Sequence, residues 1–166
     1  MTDFRSWLVL GRVSNLSTVW SNALCAWILG GEGNHQALAW LVIGLSLLYI
    51  GGMYLNDFVD VSFDNKYRPE RPIPAGKVKR STVLIAAISM FALGMVCIVV
   101  SGQNAWLFGL LLLGLIVAYN WVHKHTVMGV PLMAACRMGI YLTVGAASST
   151  GITPSIWGAG FLMFLY

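Results

Sequence analysis

Four residues in one short stretch, Asn56, Asp57, Asp60 and Asp64, have the types and the spacing to handle a charged ligand. If residues 56–64 are helical, at about 100° per residue they fall at roughly 0°, 100°, 40° and 80°, a single polar stripe. Phe58, Val59, Ser62 and Phe63 point elsewhere. Three carboxylates on one stripe repel one another unless a cation sits among them, and oxygen donors that leave room for phosphate oxygens suit Mg²⁺. A helix end that merely meets water has no reason to gather four oxygen-bearing side chains within an arc of about 100°. The complement follows at once, because Lys66, Arg68, Arg71, Lys77, Lys79 and Arg80 lie within residues 65–80 against the single acid Glu70. Guanidinium groups match phosphate geometry. Pro69, Pro72 and Pro74 preclude a regular helix there and fix the backbone enough to hold Arg68 and Arg71 in place. The expected chemistry is a metal-bridged diphosphate site at the end of an apolar helix. Asn56, Asp57, Asp60 and Asp64 surround Mg²⁺, and Arg68, Arg71 and Lys77 neutralise the remaining phosphate charge.

The elements that carry this stripe are set by composition. Of 166 residues 58% are hydrophobic and 10% charged, with a mean hydropathy of +0.75. Water-soluble domains carry about 25% charge, so a single integral membrane domain is expected, all-α and polytopic. The net charge of +4 raises nucleic acid as a partner. Most of the basic residues, however, sit in one loop between apolar segments, which fits the positive-inside rule and a phosphorylated substrate and excludes a duplex-binding surface. Cys25, Cys97 and Cys136 are far apart and lie in apolar segments, so they read as small buried residues without metal or disulfide spacing. Residues 1–12 lack the pattern of a removable signal peptide and read as an interfacial lead-in with Asp3, Arg5 and Arg12, the last a headgroup anchor.

A first span is expected over 13–30, with Ser14, Asn15, Ser17, Thr18, Ser21 and Asn22 turned into the bundle. Asn15 either lines a pocket or makes an interhelical hydrogen bond. The second span, 37–55, ends at Gly51-Gly52, a pair that allows close helix approach or a kink just before the stripe. The basic loop puts the stripe on the cytoplasmic side, and topology and headgroups suffice to explain Lys66, Lys79 and Arg80. Further spans are expected at 81–100, 105–122 and 127–147. The last is interrupted by Pro131 and carries Arg137, which should face the pocket or a carboxylate because an unpaired cation within a span is costly. His123 and His125 are two apart, do not share a helix face and read as interfacial residues. Residues 156–166 begin a sixth span but stop after eleven residues, where about twenty are needed. The sequence is therefore expected to be a fragment of a longer protein.

The pattern Asn56-Asp57-x-x-Asp60-x-x-x-Asp64, followed by Arg71-Pro72-Ile73-Pro74 and Gly76, resembles the first aspartate-rich motif of the UbiA superfamily of intramembrane prenyltransferases. The setting is similar too, at the cytoplasmic end of the second helix with a basic loop after it. Arg12-x-x-Asn15 resembles the family's first-helix Arg-x-x-Asn, and Tyr119, Lys124 and Gly129 resemble the pattern after its fourth helix. Arg137 and Gly145 fall where its fifth helix often has such residues. The resemblance implies that Asn15, Lys124 and Arg137 join the diphosphate-binding set. It implies a nine-helix fold, of which about five spans and the start of a sixth are present here, and two aspartate-rich motifs that each hold Mg²⁺ on the diphosphate. The implied reaction is transfer of an isoprenoid chain from a prenyl diphosphate to a hydrophobic acceptor, aromatic or lipid. The allylic C–O bond ionises while metal and cations stabilise the departing diphosphate. No Asp follows Asp64, so the second motif is absent. A partner chain would have to complete the site if the half-bundle is natural.

Two other classes compete. A non-catalytic UbiA-like protein could bind or transport an isoprenoid diphosphate or another amphiphile, and a second motif after residue 166 would separate it from an enzyme. An ion or proton pathway needs a relay across the bilayer, whereas these acids cluster at one edge. A prokaryotic plasma membrane suits the basic inner loop.

Overall fold

The computed structural model of this chain describes residues 4–102, 104–124 and 126–166; Asp3 and His125 lie outside the described residues. All regular structure among them is helical: α1 Phe4–Leu10, a 3₁₀ turn Val13–Asn15, α2 Leu16–Leu29, α3 His35–Val59, α4 Val61–Tyr67, α5 Arg80–Ser101, α6 Ala105–Val122, α7 Gly129–Ala147 and α8 Pro154–Leu165. Four of these, α3, α5, α6 and α7, are long and apolar enough to cross a membrane.

Local chemistry sets the boundaries. Asn34 caps α3 by accepting from the Gln36 N–H at 2.9 Å, and Thr153 caps α8 with Pro154 in the first turn, where its missing N–H would have had no helical partner. The same logic removes the interruption expected at Pro131. That residue sits in the opening turn of α7, which runs unbroken to Ala147. The expected first span begins differently: Arg12 adopts a left-handed conformation (φ 44°, ψ 45°), the 3₁₀ turn follows, and α2 has only 14 residues.

Helix α3 is the spine, packed along α5 and also against α2 and α6. Without a hydrophobic force between helices in lipid, close backbone approach must supply the attraction, and glycines allow it. A Cβ on Gly44 would sit 2.9 Å from the Gly94 carbonyl oxygen, and one on Gly94 would sit 2.9 Å from that of Gly44. Gly51 faces the Phe91 ring of α5 and Gly52 faces Ile116 of α6, so the pair serves close approach and α3 continues through it. Leu41, Leu45 and Leu48 meet Ile98, Leu112, Tyr141, Val144 and Ile156 in the main core. The exposed Ile85, Ile88, Val96 and Val99 of α5 form a lipid-compatible outer face. Cys97 is buried as expected, while Cys25 lies exposed on α2.

A smaller cluster at the other end of α3 matters for the site. Leu10, Tyr54, Val78, Val83 and Ala87 are buried together, with Ile73 packed against them. Pro72 and Val78 are both buried, and Val78 N–H donates to the Pro72 carbonyl at 3.3 Å. Gly76, with φ +70°, closes the turn. The loop after α4 is thereby pinned by its own apolar residues, and Arg71 is carried back over the end of α3.

Candidate functional site

Helix α3 ends at Val59 and α4 begins at Val61, with Asp60 between them at φ −77°, ψ −4°. The helical phase survives the break, because Asp60 N–H donates to the Asn56 carbonyl and Asp64 N–H to the Asp60 carbonyl, each at 2.9 Å. Asn56, Asp57, Asp60 and Asp64 therefore keep one face, and all four are buried, at 5%, 5%, 7% and 1% exposure. Buried carboxylates must find cations or hydrogen bonds, since the effective cost of taking each ion out of water is several kcal/mol.

The chain's own cations interleave with them. Arg71 Nη1 lies 2.9 Å from Asp57 Oδ1 and 2.9 Å from Asp64 Oδ2, so one nitrogen bridges two carboxylates seven residues apart. Arg12 Nη2 donates to Asn56 Oδ1 at 3.2 Å and lies 3.7 Å from Asp57 Oδ1. The Arg12 backbone is in the sparsely populated left-handed region for a non-glycine residue, a strain its side-chain contacts offset. Lys124 Nζ stands 2.8 Å from Asp60 Oδ1 and 4.0 Å from the Phe63 ring centre. His123 presents Nε2 at 3.5 Å to both Asp60 Oδ1 and Asn56 Nδ2. Its Nδ1 faces the Tyr119 and Asn120 carbonyls at 3.1 Å, which puts the proton on Nδ1 and the lone pair toward the cluster when the ring is neutral. Three carboxylates thus face three permanent cations, and the cluster is charge-balanced at rest.

The balance leaves one oxygen atom over. Asp64 Oδ1 is buried without a hydrogen bond or ion pair. Asp60 Oδ1 is held by the Lys124 ammonium at 2.8 Å. No three described His, Cys, Asp or Glu side chains converge closely enough to enclose a metal by themselves. Mg²⁺ is commonly held by one or two carboxylates plus phosphate oxygens and water. The unpaired Oδ1 of Asp64, with the Asp60 carboxylate four residues before it on the same face, fits that donor set.

A cavity of about 570 Å³ lies between α2, α3, α6, α7 and α8. Leu45, Leu48, Leu112 and Ile140 give it an apolar wall, and Arg12 and Asn120 border it as well as the carboxylate end of the bundle. Asn15, Thr18, Ser21 and Asn22 line it, whereas Ser14 and Ser17 of the same polar stretch are exposed away from it. Arg137 lines it too, with its guanidinium 5.7 Å from the Tyr166 ring centre. Arg68 and Lys77 are exposed on the loop, outside the ion-pair cluster.

Three side chains at the cluster are not given this place by spacing alone. Arg12, expected at headgroups, reaches Asn56 and Asp57, and His123, expected at the interface, reaches Asp60. Asn120 is 1% exposed and donates to the Ile116 and Gly52 carbonyls at 2.9 and 3.4 Å, which ties α6 to α3. The available signal was a polar residue three positions before a histidine, hence on the same helix face, in an otherwise apolar run.

The fold and the site define a class: an integral membrane helical bundle with a buried carboxylate and cation cluster beside an apolar internal cavity. The UbiA prenyltransferase family model matches residues 15–166, and the chain belongs to that family. A digeranylgeranylglyceryl phosphate synthase of Thermococcus gammatolerans is 31% identical over 128 residues, covering 77% of this chain and 41% of the relative. That of Methanopyrus kandleri is 25% identical over 153 residues, covering 92% of this chain and 56% of its own. A solved structure from work on digeranylgeranylglyceryl phosphate synthase in membranes superposes with a TM-score of 0.84 over 99% of this chain and 58% of that one. At 19% identity this likeness speaks to the fold alone. The chain spans about half the length of the curated relatives it matches.

Proposed function

We propose that this chain supplies the prenyl-donor half of an intramembrane prenyl transfer, with the diphosphate of an isoprenoid diphosphate at the Asp57, Asp60 and Asp64 cluster and its chain in the neighbouring cavity. The observation that carries this reading is the Arg71 bridge between buried Asp57 and Asp64 beside an apolar cavity. A soluble ligand needs no such cavity, and a lipid alone needs no buried trio of carboxylates.

Charge decides the cofactor. A diphosphate brings about three negative charges to a cluster that is already balanced, so added cations are required. Mg²⁺ would be held by Asp64 through its unpaired Oδ1 and by Asp60, with Asp57 and Asn56 adjacent. When bound, it supplies neutralisation of the charge that develops on the departing diphosphate. Arg71 and Lys124 contribute fixed positive charge at the same place, and Arg68 and Lys77 stay exposed on the loop outside it. The neutral His123 ring turns its Nε2 lone pair to the Asn56 amide N–H and so orients Asn56. The apolar wall excludes water from the allylic carbon, so that an acceptor and not water captures it. The names of the relatives favour a lipid acceptor of the glyceryl phosphate type over an aromatic one. The basic 65–80 loop supports a cytoplasmic position for the cluster.

Replacement of Asp60 by Asn in the complete protein tests the assignment. Mg²⁺-dependent turnover of a prenyl diphosphate is expected to fall on the order of 10²–10³-fold, the range seen when one fixed electrostatic partner of a developing charge is removed. Undiminished turnover would sink it.

A further inference from the structure

One cation that lines the cavity has no carboxylate partner among the described residues. Arg137 lies in α7, eight residues beyond Gly129, which places it about 12 Å along the helix axis from the basic end. It borders the cavity, and among the described residues its recorded interaction is with the Tyr166 ring, not with a carboxylate. The residues that line the cavity include two arginines and no acid. Arg12 is occupied by Asn56 and Asp57 at the carboxylate end, which leaves Arg137 as the positive charge facing the apolar interior. Asn22 and Thr18 border the same space, and the Tyr141 hydroxyl donates to Asn22 Oδ1 at 3.4 Å. An unpaired guanidinium among apolar side chains at membrane depth is costly by several kcal/mol unless a ligand answers it.

We infer that Arg137 anchors the acceptor: the cavity receives an amphiphile with a single oxyanion head, phosphate or carboxylate, held by the guanidinium while its apolar body lies along the Leu45, Leu112 and Ile140 wall. This rests on the reading of Asp57, Asp60 and Asp64 as the diphosphate site, and it separates Arg137 from the diphosphate-binding set. The geometry then keeps the two substrates' negative charges apart. One is met at the carboxylate cluster with its cations and the other deeper along α7. The Tyr166 ring centre lies 5.7 Å from the Arg137 guanidinium, whose planar fork of donors suits a bidentate contact with an oxyanion.

The test is a binding measurement on the complete protein in a maltoside micelle, with dodecyl phosphate, dodecanol and Mg²⁺-diphosphate as separate probes. Dodecyl phosphate should bind and dodecanol should not. In R137Q the dodecyl phosphate affinity should fall at least about tenfold while Mg²⁺-diphosphate binding stays within about twofold, and R137K should recover part of the loss. Equal weakening of both anions in R137Q would return Arg137 to the diphosphate site and overturn the inference. Undiminished dodecyl phosphate binding in R137Q would do the same. Phosphatidylglycerol displacing dodecyl phosphate at equal concentration would reduce the site to a bulk lipid headgroup contact, which also overturns it. If the unaltered protein binds dodecyl phosphate through Arg137 but fails to bind Mg²⁺-diphosphate, the donor reading falls and the anion site stands.

Discussion

The two ends of the bundle solve the same problem in opposite ways. Where the turn after α2 meets the turn after α7, every contact is neutral. Thr150 Oγ1 donates to the Gly30 carbonyl and Ser149 Oγ to the Gly31 carbonyl, both at 2.7 Å, and Ser149 N–H donates to the Glu32 carbonyl at 2.8 Å. At the other end the helices are joined by buried full charges, with Arg71, Arg12 and Lys124 set among three aspartates. The first arrangement matches hydroxyl and amide donors to carbonyls, and the buried polar atom left over beside it is a neutral donor, the Trp27 indole N–H. The second leaves a carboxylate oxygen, Asp64 Oδ1, without a partner, and an unsatisfied buried atom of that kind is where a ligand or ion is expected.

The contrast can be broken most severely at Arg71. Arg71→Leu would leave Asp57 and Asp64 facing each other without their shared cation, and breaking a buried pair costs about 3–5 kcal/mol. Because the vacancy would then be anionic, millimolar Mg²⁺ should restore a measurable part of that stability in denaturant titrations of the detergent-solubilised protein. Absence of any Mg²⁺ effect would argue against a cation site between these residues. The neutral end should respond to volume instead of charge. A Cβ on Gly30 would run into the Ser148 side chain. Gly30→Ala is therefore expected to destabilise by about 1–3 kcal/mol through overpacking, with no dependence on Mg²⁺ and with turnover per folded molecule unchanged. The smallest effect is expected for Thr150→Val, which keeps shape and removes one hydroxyl donor. The Gly30 carbonyl still receives the residue 150 N–H at 3.1 Å, so a loss of about 0.5–1.5 kcal/mol should appear as a small shift in unfolding midpoint at the same slope.

Much of this was legible before any coordinates. The stripe of Asn56, Asp57, Asp60 and Asp64 follows from a 100° helical step, and the structure keeps it even though α3 and α4 are separate helices joined at Asp60. The spans at 81–100 and 105–122 match α5 and α6 within a residue or so, because long apolar runs bounded by Asn, Gly or charged residues have few alternatives. The start of the first span was not legible. A left-handed Arg12 is set by what its side chain reaches, not by its neighbours in sequence.

Sequence by itself determined the membrane class, the helical phase of the acidic stripe and the cationic character of the loop beside it. All three depend on composition and on residues within about twenty positions of one another. Only the tertiary structure decided that Arg71 turns back to bridge Asp57 and Asp64, that Arg12 and His123 belong to the cluster, and that Arg137 faces a cavity with no acid to meet it. Which cation pairs with which carboxylate is set by how closely helix ends approach. That approach is fixed by glycines such as Gly44, Gly94 and Gly52 at crossings far along the chain from the charges they position.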